Sequence, residues 1–231
     1  MAQSASGTKT HVGVSGRSSE ADREALLNAL PRVVAEHGWV GTSPARVCCE
    51  AGIPPQEFWN HYRSLEHLFV EVYDRMMERL VRTAIRAVAS RNLTLGPEAW
   101  EDQLDAILSG VLAFFSVEPA LAKTCLVEVL EVGPVARARR DDALGRFANY
   151  VEGLRLSHGE PMPALAAELI ALGTVDLISN RVSRDEAEQL REIVPELRQM
   201  WQASVAGAAA VESGAEGSVA PRETQRTPAV G

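Results

Sequence analysis

Apolar residues recur with helical spacing through most of the chain, between two tails that lack such spacing. The periodicity is nearly continuous from about residue 20 to residue 205. Residues 1–19 and 206–231 are rich in small and polar residues, and both are predicted to be disordered tails. About nine helices and no strand are predicted between the tails. The expected fold class is therefore all-α.

Capping and breaking residues divide the first part of the periodic region into four helices. The first spans residues 19–38, and the second spans 43–50 with Ser43 as its predicted N-cap. A third short helix spans 56–63, and a long fourth helix spans 64–90. Two short helices joined by a tight, glycine-containing turn predict a helix-turn-helix motif, whose second helix fits the DNA major groove.

The remaining periodic segments predict a second helical domain. We call residues 20–64 the head, the predicted helix-turn-helix DNA-binding domain, and residues 65–205 the body. After the long fourth helix, the predicted helices of the body span about 97–115, 119–132, 135–159, 163–182 and 185–204.

Composition, charge and cysteine spacing indicate which broad class of protein this chain belongs to. The chain has 231 residues and a formal net charge of -8. Its three cysteines have no disulfide-like or metal-ligand spacing, so reduced thiols, no metal and no cofactor are expected. No apolar leader is found, and the apolar stretch 164–178 is interrupted by Glu168 and Asp176. A cytoplasmic protein without a membrane span is therefore expected.

One continuous run of about forty residues resembles a known family. The segment from Ala29 to Leu68 is similar, without a gap, to the DNA-binding domain of the tetracycline-repressor (TetR) family. The matching elements are Ala35-Glu36-His37-Gly38-Trp39, Thr42-Ser43, Ala51-Gly52-Ile53, Phe58-Trp59-Asn60-His61-Tyr62 and Ser64-Leu65-Glu66-His67-Leu68. The rest of the chain resembles the family in helix number, length and order.

The resemblance implies a dimeric transcriptional regulator, most often a repressor, that binds a palindromic site in double-stranded DNA. A small-molecule effector of unknown identity would release or retune it. Trp59 then occupies the position of a phosphate-contacting tyrosine, and Gln56, Asn60 and His61 face the groove. The predicted DNA-binding residues are Thr42, Ser43, Arg46, Pro55, Gln56, Glu57, Trp59, Asn60, His61 and Arg63.

Several departures from the family pattern leave alternatives open. Glu57 stands where the family has small residues or Thr, and Leu65 stands where it has Lys. The segment 20–66 has seven acidic and four basic residues, a net charge of -3, which predicts modest DNA affinity. Trp59 and His61 are equally interpretable as packed side chains. The alternative function is a TetR-like dimeric binding module with weak or lost DNA binding. An enzyme ranks last because no catalytic motif is found.

The body offers a candidate effector site and a candidate dimer interface. The residues proposed to line an effector cavity are Trp100, Leu104, Leu108, Phe114, Phe115, Leu126, Glu128 and Phe147. A filled core is the alternative for the same residues. The residues proposed for the dimer interface, on the last two helices, are Leu165, Leu169, Leu172, Leu177, Leu190, Val194, Leu197 and Trp201.

Overall fold

The computed structural model describes residues 19–91, 100–157 and 162–203. The side chains of Trp100 and Glu101 are outside that description, although both residues belong to a helix. The two predicted tails also lie outside the described residues, except that Ser19 begins the first helix. All structural statements below concern the described part of the chain.

Helices account for nearly all of the described backbone. The helices are α1 (Ser19–His37), α2 (Pro44–Ala51), α3 (Phe58–His61), α4 (Leu65–Ser90), α5 (Trp100–Val117), α6 (Pro119–Ala122), α7 (Val129–Val132), α8 (Pro134–Ser157), α9 (Ala164–Ser183) and α10 (194–203). A 3₁₀ turn (Pro55–Glu57) precedes α3, a π-helical turn (Lys123–Val127) separates α6 from α7, and a 3₁₀ helix (Ala187–Ile193) precedes α10.

The all-α prediction is confirmed, and the differences in helix number have local causes. The segment predicted as one helix over 119–132 contains the π-helical turn, in which the Glu128 N–H bonds to the Lys123 carbonyl at 3.0 Å. Such a turn inserts one extra residue into the helix. The last predicted helix begins instead as the 3₁₀ helix Ala187–Ile193. Ten α-helices among the described residues therefore replace the nine predicted.

The head is a three-helix unit whose core is formed mainly by α1. Leu26, Leu30 and Val34 lie on one face of α1, and all are fully buried. The helix packs against α2 and also against the first half of α4. Val47 of α2 and Phe58 of α3 complete this core with no exposed surface. Because α4 belongs to the body, the head and the body share one continuous core.

The body is a bundle in which α4 packs on α5 and α8, and α8 packs on α9. The C-terminal 3₁₀ helix packs on α5. Trp201 of α10 is buried, where its indole N–H donates to Thr174 Oγ1 of α9 at 2.9 Å and its ring contacts Phe147 of α8. This bond satisfies the polar atom of a buried indole, as buried tryptophans usually require.

The proposed dimer residues divide into two groups. Leu165, Leu169, Leu172 and Leu177 of α9 are exposed, at 45–66% of their full accessible surface. The four residues of the C-terminal segment are instead part of the protomer's own core, namely Leu190, Val194, Leu197 and Trp201. Their expected role at a dimer interface is therefore corrected, because the apolar face of that segment is covered by α5 and α9.

No single helix among the described residues combines the length and the apolar composition needed to cross a bilayer. The bent pair Asp102–Val117 and Pro119–Val127 meets that criterion only when its two helices are taken together.

The packing of α2 predicts unequal reactivity of its adjacent cysteines. Cys49 is exposed, whereas Cys48 and Cys125 are buried, and burial raises the pKa of both buried thiols. Because the thiolate is the reactive form, iodoacetamide at pH 8 should modify Cys49 at least about tenfold faster than Cys48 or Cys125. Peptide mass spectrometry over time measures the three rates. Equal rates for Cys48 and Cys49 would contradict the packing of α2.

Candidate DNA-binding site

A tight turn between α2 and α3 sets the direction of the third helix. Ser43 Oγ accepts a hydrogen bond from the Arg46 N–H at 3.3 Å and thereby caps α2. Gly52 ends α2 in the left-handed conformation, with φ 66°. The Ile53 N–H then bonds back to the Cys48 carbonyl at 3.0 Å. A residue with a Cβ is strained in this conformation, which explains the glycine at this position.

The third helix is short and is held in place by two buried aromatic side chains. It consists of the 3₁₀ turn Pro55–Glu57 and the four residues of α3. Phe58 and Tyr62 lie in the head core with at most 2% exposure. The Tyr62 hydroxyl donates to Glu71 Oε2 at 3.0 Å, and burial raises the pKa of Tyr62 far above its usual value. We call the segment Pro55–His61 the reading helix.

The outward side of the reading helix carries residues suited to DNA contact. Gln56, Trp59 and Asn60 are all exposed, and Trp59 retains 60% of its accessible surface. The Trp59 ring meets the buried Phe58 ring edge-on, with centroids 5.1 Å apart. An amide side chain can bond to the N6 and N7 atoms of adenine, and an indole N–H can donate to a phosphate oxygen. Pro55 and Arg63 are exposed at the two ends of this surface.

The other side of the reading helix faces the start of α1. Glu57 and His61, one helical turn apart, are both half-buried, and their polar atoms lie within 4.8 Å of a carboxylate oxygen of Asp22. Glu57 Oε2 accepts a hydrogen bond from Asn60 Nδ2 at 2.8 Å. His61 was expected to face the groove with Gln56 and Asn60, and Glu57 was among the predicted DNA-binding residues. In this structure they form a cluster with α1 at the flank of the reading helix.

The three residues at the start of α2 that were predicted to contact DNA have different surroundings in the structure. Thr42 is buried and its hydroxyl donates to the Gly38 carbonyl at 2.8 Å, so its predicted contact with DNA is corrected. Ser43 is half-buried at the N-terminus of α2, a position that suits a phosphate. The Arg46 guanidinium is exposed and lies 3.1 Å from His37 Nε2.

Most arginines around the head are engaged in ion pairs. Arg32 pairs with Glu50, and Glu71 of α4 pairs with Arg23 of α1. A hydrogen bond from Arg75 to Glu24 holds the pKa of that carboxyl below its usual value. Within the described part of the chain, no ion pair involves Arg46 or Arg63. These two side chains are therefore the positive charges best placed to approach a phosphate backbone.

A half-buried hydrogen bond joins the head to the body beside this site. The backbone N–H of Trp39 donates to Glu128 Oε2 at 2.8 Å, across 89 positions of sequence. Glu128 follows the π-helical turn, and the Trp39 ring packs edge-on against Phe69 of α4. Glu128 was proposed as an effector ligand, but its carboxylate instead holds the loop that follows α1.

A further contact joins the head and the body, and a close approach beside it lies within the body. The Thr124 hydroxyl, in the π-helical turn, lies 3.3 Å from the Pro31 carbonyl of α1 and 2.8 Å from the Ala120 carbonyl. Gly133 has a φ of 142°, and a Cβ at this position would lie 2.9 Å from Glu66 Oε1. A Cβ there would meet the far end of the Glu66 side chain, so the corner after α7 lies close to the first turn of α4.

The residues proposed to line an effector cavity lie mostly in the core. Leu104, Leu108, Phe114 and Phe115 are buried, whereas Leu126 and Phe147 are half-buried against the same core. The Trp100 side chain lies outside the described residues. A cleft of about 380 Å³ lies elsewhere, between α1, α4 and the α5–α6 corner. None of the proposed residues lines this cleft.

Comparisons with known proteins identify the fold. No family model matches the sequence, and no curated protein matches it. Among solved structures, the fatty acid degradation regulator FadR from Bacillus halodurans superposes with a TM-score of 0.65 and 18% identity, covering 78% of this chain and 94% of that one. FadR from Bacillus subtilis, in complex with stearoyl-CoA, has a TM-score of 0.63 and 15% identity, with coverage of 77% and 96%.

A third structure, a TetR-like transcriptional regulator from Rhodococcus sp. RHA1, has a TM-score of 0.57 and 21% identity, covering 79% of this chain and 96% of that one. In all three comparisons the similarity extends over both the head and the body. The chain therefore has the fold of TetR-like transcriptional regulators, as the resemblance in the head had implied.

The hydrogen bond between the Trp39 N–H and Glu128 is expected to contribute measurably to the stability of the fold. Glu128→Ala leaves the Trp39 N–H without its charged acceptor, which should lower the free energy of unfolding by about 1–2 kcal/mol. The matched control is Glu131→Ala, a change at an exposed residue of the same segment, which should have little effect. Urea unfolding followed by circular dichroism measures both variants. Equal stability of the two variants would show that the link contributes nothing.

Proposed function

We propose that this protein is a homodimeric, DNA-binding transcriptional regulator, most often a repressor in proteins of this fold, whose DNA affinity a small-molecule effector changes. The observation that carries the proposal is the reading helix. Phe58 of this helix and Tyr62, which directly follows it, are buried in the head core, while Gln56, Trp59 and Asn60 on its other side are exposed to solvent. That division of faces suits insertion of a short helix into a major groove about 12 Å wide.

A two-fold dimer would present two reading helices to a palindromic site. The exposed leucines of α9 support dimerisation, because a soluble chain rarely leaves such a stripe uncovered. Gly173 of α9 and Gly145 and Gly153 of α8 have open space beside them. Helices from a second copy can approach closely at such positions. We infer that α8 and α9 of two protomers form the interface, rather than the C-terminal helix.

The cleft at the junction of head and body is the site that we propose for the effector. Its volume of about 380 Å³ falls in the usual range for small-molecule pockets. Leu27, Val72 and Met76 supply apolar walls, and Arg75 and Arg79 lie beside them. Since α1 belongs to the head and α4 to the body, a molecule bound between them would bias the position of the reading helix.

The proposal predicts specific DNA binding through the reading helix. Gln56→Ala should weaken binding to a specific site by about 1–3 kcal/mol, the range measured for a bidentate amide–adenine contact. Trp59→Ala should also weaken binding by loss of a phosphate contact. Fluorescence anisotropy with DNA from upstream of the protein's own gene, at two salt concentrations, measures these changes.

The matched control is Gln189→Ala, because Gln189 is exposed on the body far along the chain from the reading helix. Its binding should equal that of the unmodified protein. Scrambled DNA of equal length provides the non-specific level. If the unmodified protein binds both DNAs equally, the alternative of a dimeric binding module without specific DNA recognition replaces this proposal.

The proposed interface predicts that a charged substitution within it changes the oligomeric state. Leu169→Glu places a charge in the centre of the leucine stripe, and the cost of burying it should convert the dimer into a monomer. Val40→Glu is the control, because Val40 is 89% exposed on the head. Sedimentation velocity at micromolar concentration should give a dimer for the control and a monomer for Leu169→Glu. A dimer in both would contradict the proposed interface.

A further inference from the structure

The cluster at the flank of the reading helix contains three side chains that commonly bind metal ions. One ligand atom each from Asp22, Glu57 and His61 lies within 4.8 Å of the other two. Two of these residues belong to the reading helix and the third to the first turns of α1. All three are half-buried, so their positions are restricted by the packing of the head.

The charges around the cluster favour a cation there. Neighbouring carboxylates of the head are paired with arginines: Glu24 with Arg75, and Glu50 with Arg32. Asp22 and Glu57 have no such ion pair within the described part of the chain. Two close carboxylates without a counterion repel each other, and a divalent cation between them would remove that repulsion.

The donor set identifies the class of cation. An imidazole nitrogen with two carboxylate oxygens suits a first-row transition ion such as Zn²⁺, with water as the fourth ligand. Ligand atoms around a tetrahedral zinc ion lie about 3.4 Å apart, so side-chain rotation must bring a pair separated by up to 4.8 Å closer by up to about 1.4 Å. The hydrogen bond from Asn60 to Glu57 Oε2 leaves Glu57 Oε1 for the ion.

We propose that Asp22, Glu57 and His61 form a binding site for a divalent transition-metal ion, which ties the reading helix to α1. The sequence predicted no metal site, because Asp22 is far from the other two residues along the chain. Bound metal would neutralise two carboxylates beside the DNA-facing surface. We also infer that the ion strengthens DNA binding, an inference that rests on the proposed function.

The direct test is a zinc titration of the full-length, tag-free, chelator-treated protein against a chromophoric chelator. The unmodified protein should bind one Zn²⁺ per chain, and His61→Ala and Asp22→Asn should each weaken binding at least tenfold. The control His67→Ala changes an exposed histidine outside the cluster and should bind normally. Absence of binding, or equal binding by His61→Ala, would overturn the proposed site.

Cobalt(II) distinguishes this site from binding at the exposed thiol of Cys49. A visible d–d spectrum without a thiolate-to-metal charge-transfer band is expected, and its disappearance in His61→Ala would assign it to the cluster. A charge-transfer band that persists in His61→Ala and is lost in Cys49→Ser would place the ion elsewhere and overturn the proposal.

A DNA-binding measurement separates this inference from the proposed function. Saturating Zn²⁺ should tighten binding of the unmodified protein to specific DNA several-fold and leave the affinity of Asp22→Asn unchanged. If zinc binds in the chelator competition but does not change the DNA affinity, the inferred strengthening of DNA binding by the ion is contradicted. A protein that binds zinc but no specific DNA would contradict the proposed function alone.

Discussion

The structure of the candidate DNA-binding surface depends on the burial of two aromatic side chains. The α-helical part of the reading helix has four residues, which is far below the length at which an isolated helix is stable in water. Phe58 and Tyr62 stabilise this short helix, because both side chains are buried in the hydrophobic core and the Tyr62 hydroxyl is bonded to Glu71 of α4. The outward direction of Gln56, Trp59 and Asn60 follows from that anchoring.

The same core connects the reading helix to the body. Tyr62 is hydrogen-bonded to Glu71 of α4, and the loop after α1 is held by Glu128 beyond the π-helical turn. The junction also contains the cleft proposed for the effector. A displacement of α1 against α4 would therefore act on the anchoring of the reading helix, and this is the physical route by which an effector could change DNA affinity.

Local patterns in the sequence predicted α1, α2 and α4, whereas the third helix, predicted over 56–63, is a 3₁₀ turn followed by the four residues of α3. Ser43 and Gly52, which bound α2, have strong local preferences, and apolar spacing correctly indicated α1 and α4. Periodicity does not identify what covers an apolar face. Leu197 and Trp201 were expected to face a second subunit for this reason, but they pack inside their own protomer.

Contacts between distant segments could not be predicted from spacing. Glu128 was interpreted as an effector ligand, and its bond to the Trp39 backbone depends on a π-helical turn that no local signal indicated. The cluster of Asp22 with Glu57 and His61 arises from the packing of α1 beside the reading helix. Because Glu57 faces α1 in this cluster, its carboxylate is compatible with the proposed insertion of the reading helix into DNA.

Hydroxyl-radical footprinting of the DNA upstream of the protein's own gene tests the central claim most directly, because it locates contacts on the duplex. Two reading helices on one dimer should protect two patches on one face of the DNA, separated by about 10–10.5 base pairs or a multiple of that spacing. Uniform cleavage along that DNA, with the protein present at concentrations that saturate binding, would contradict the claim.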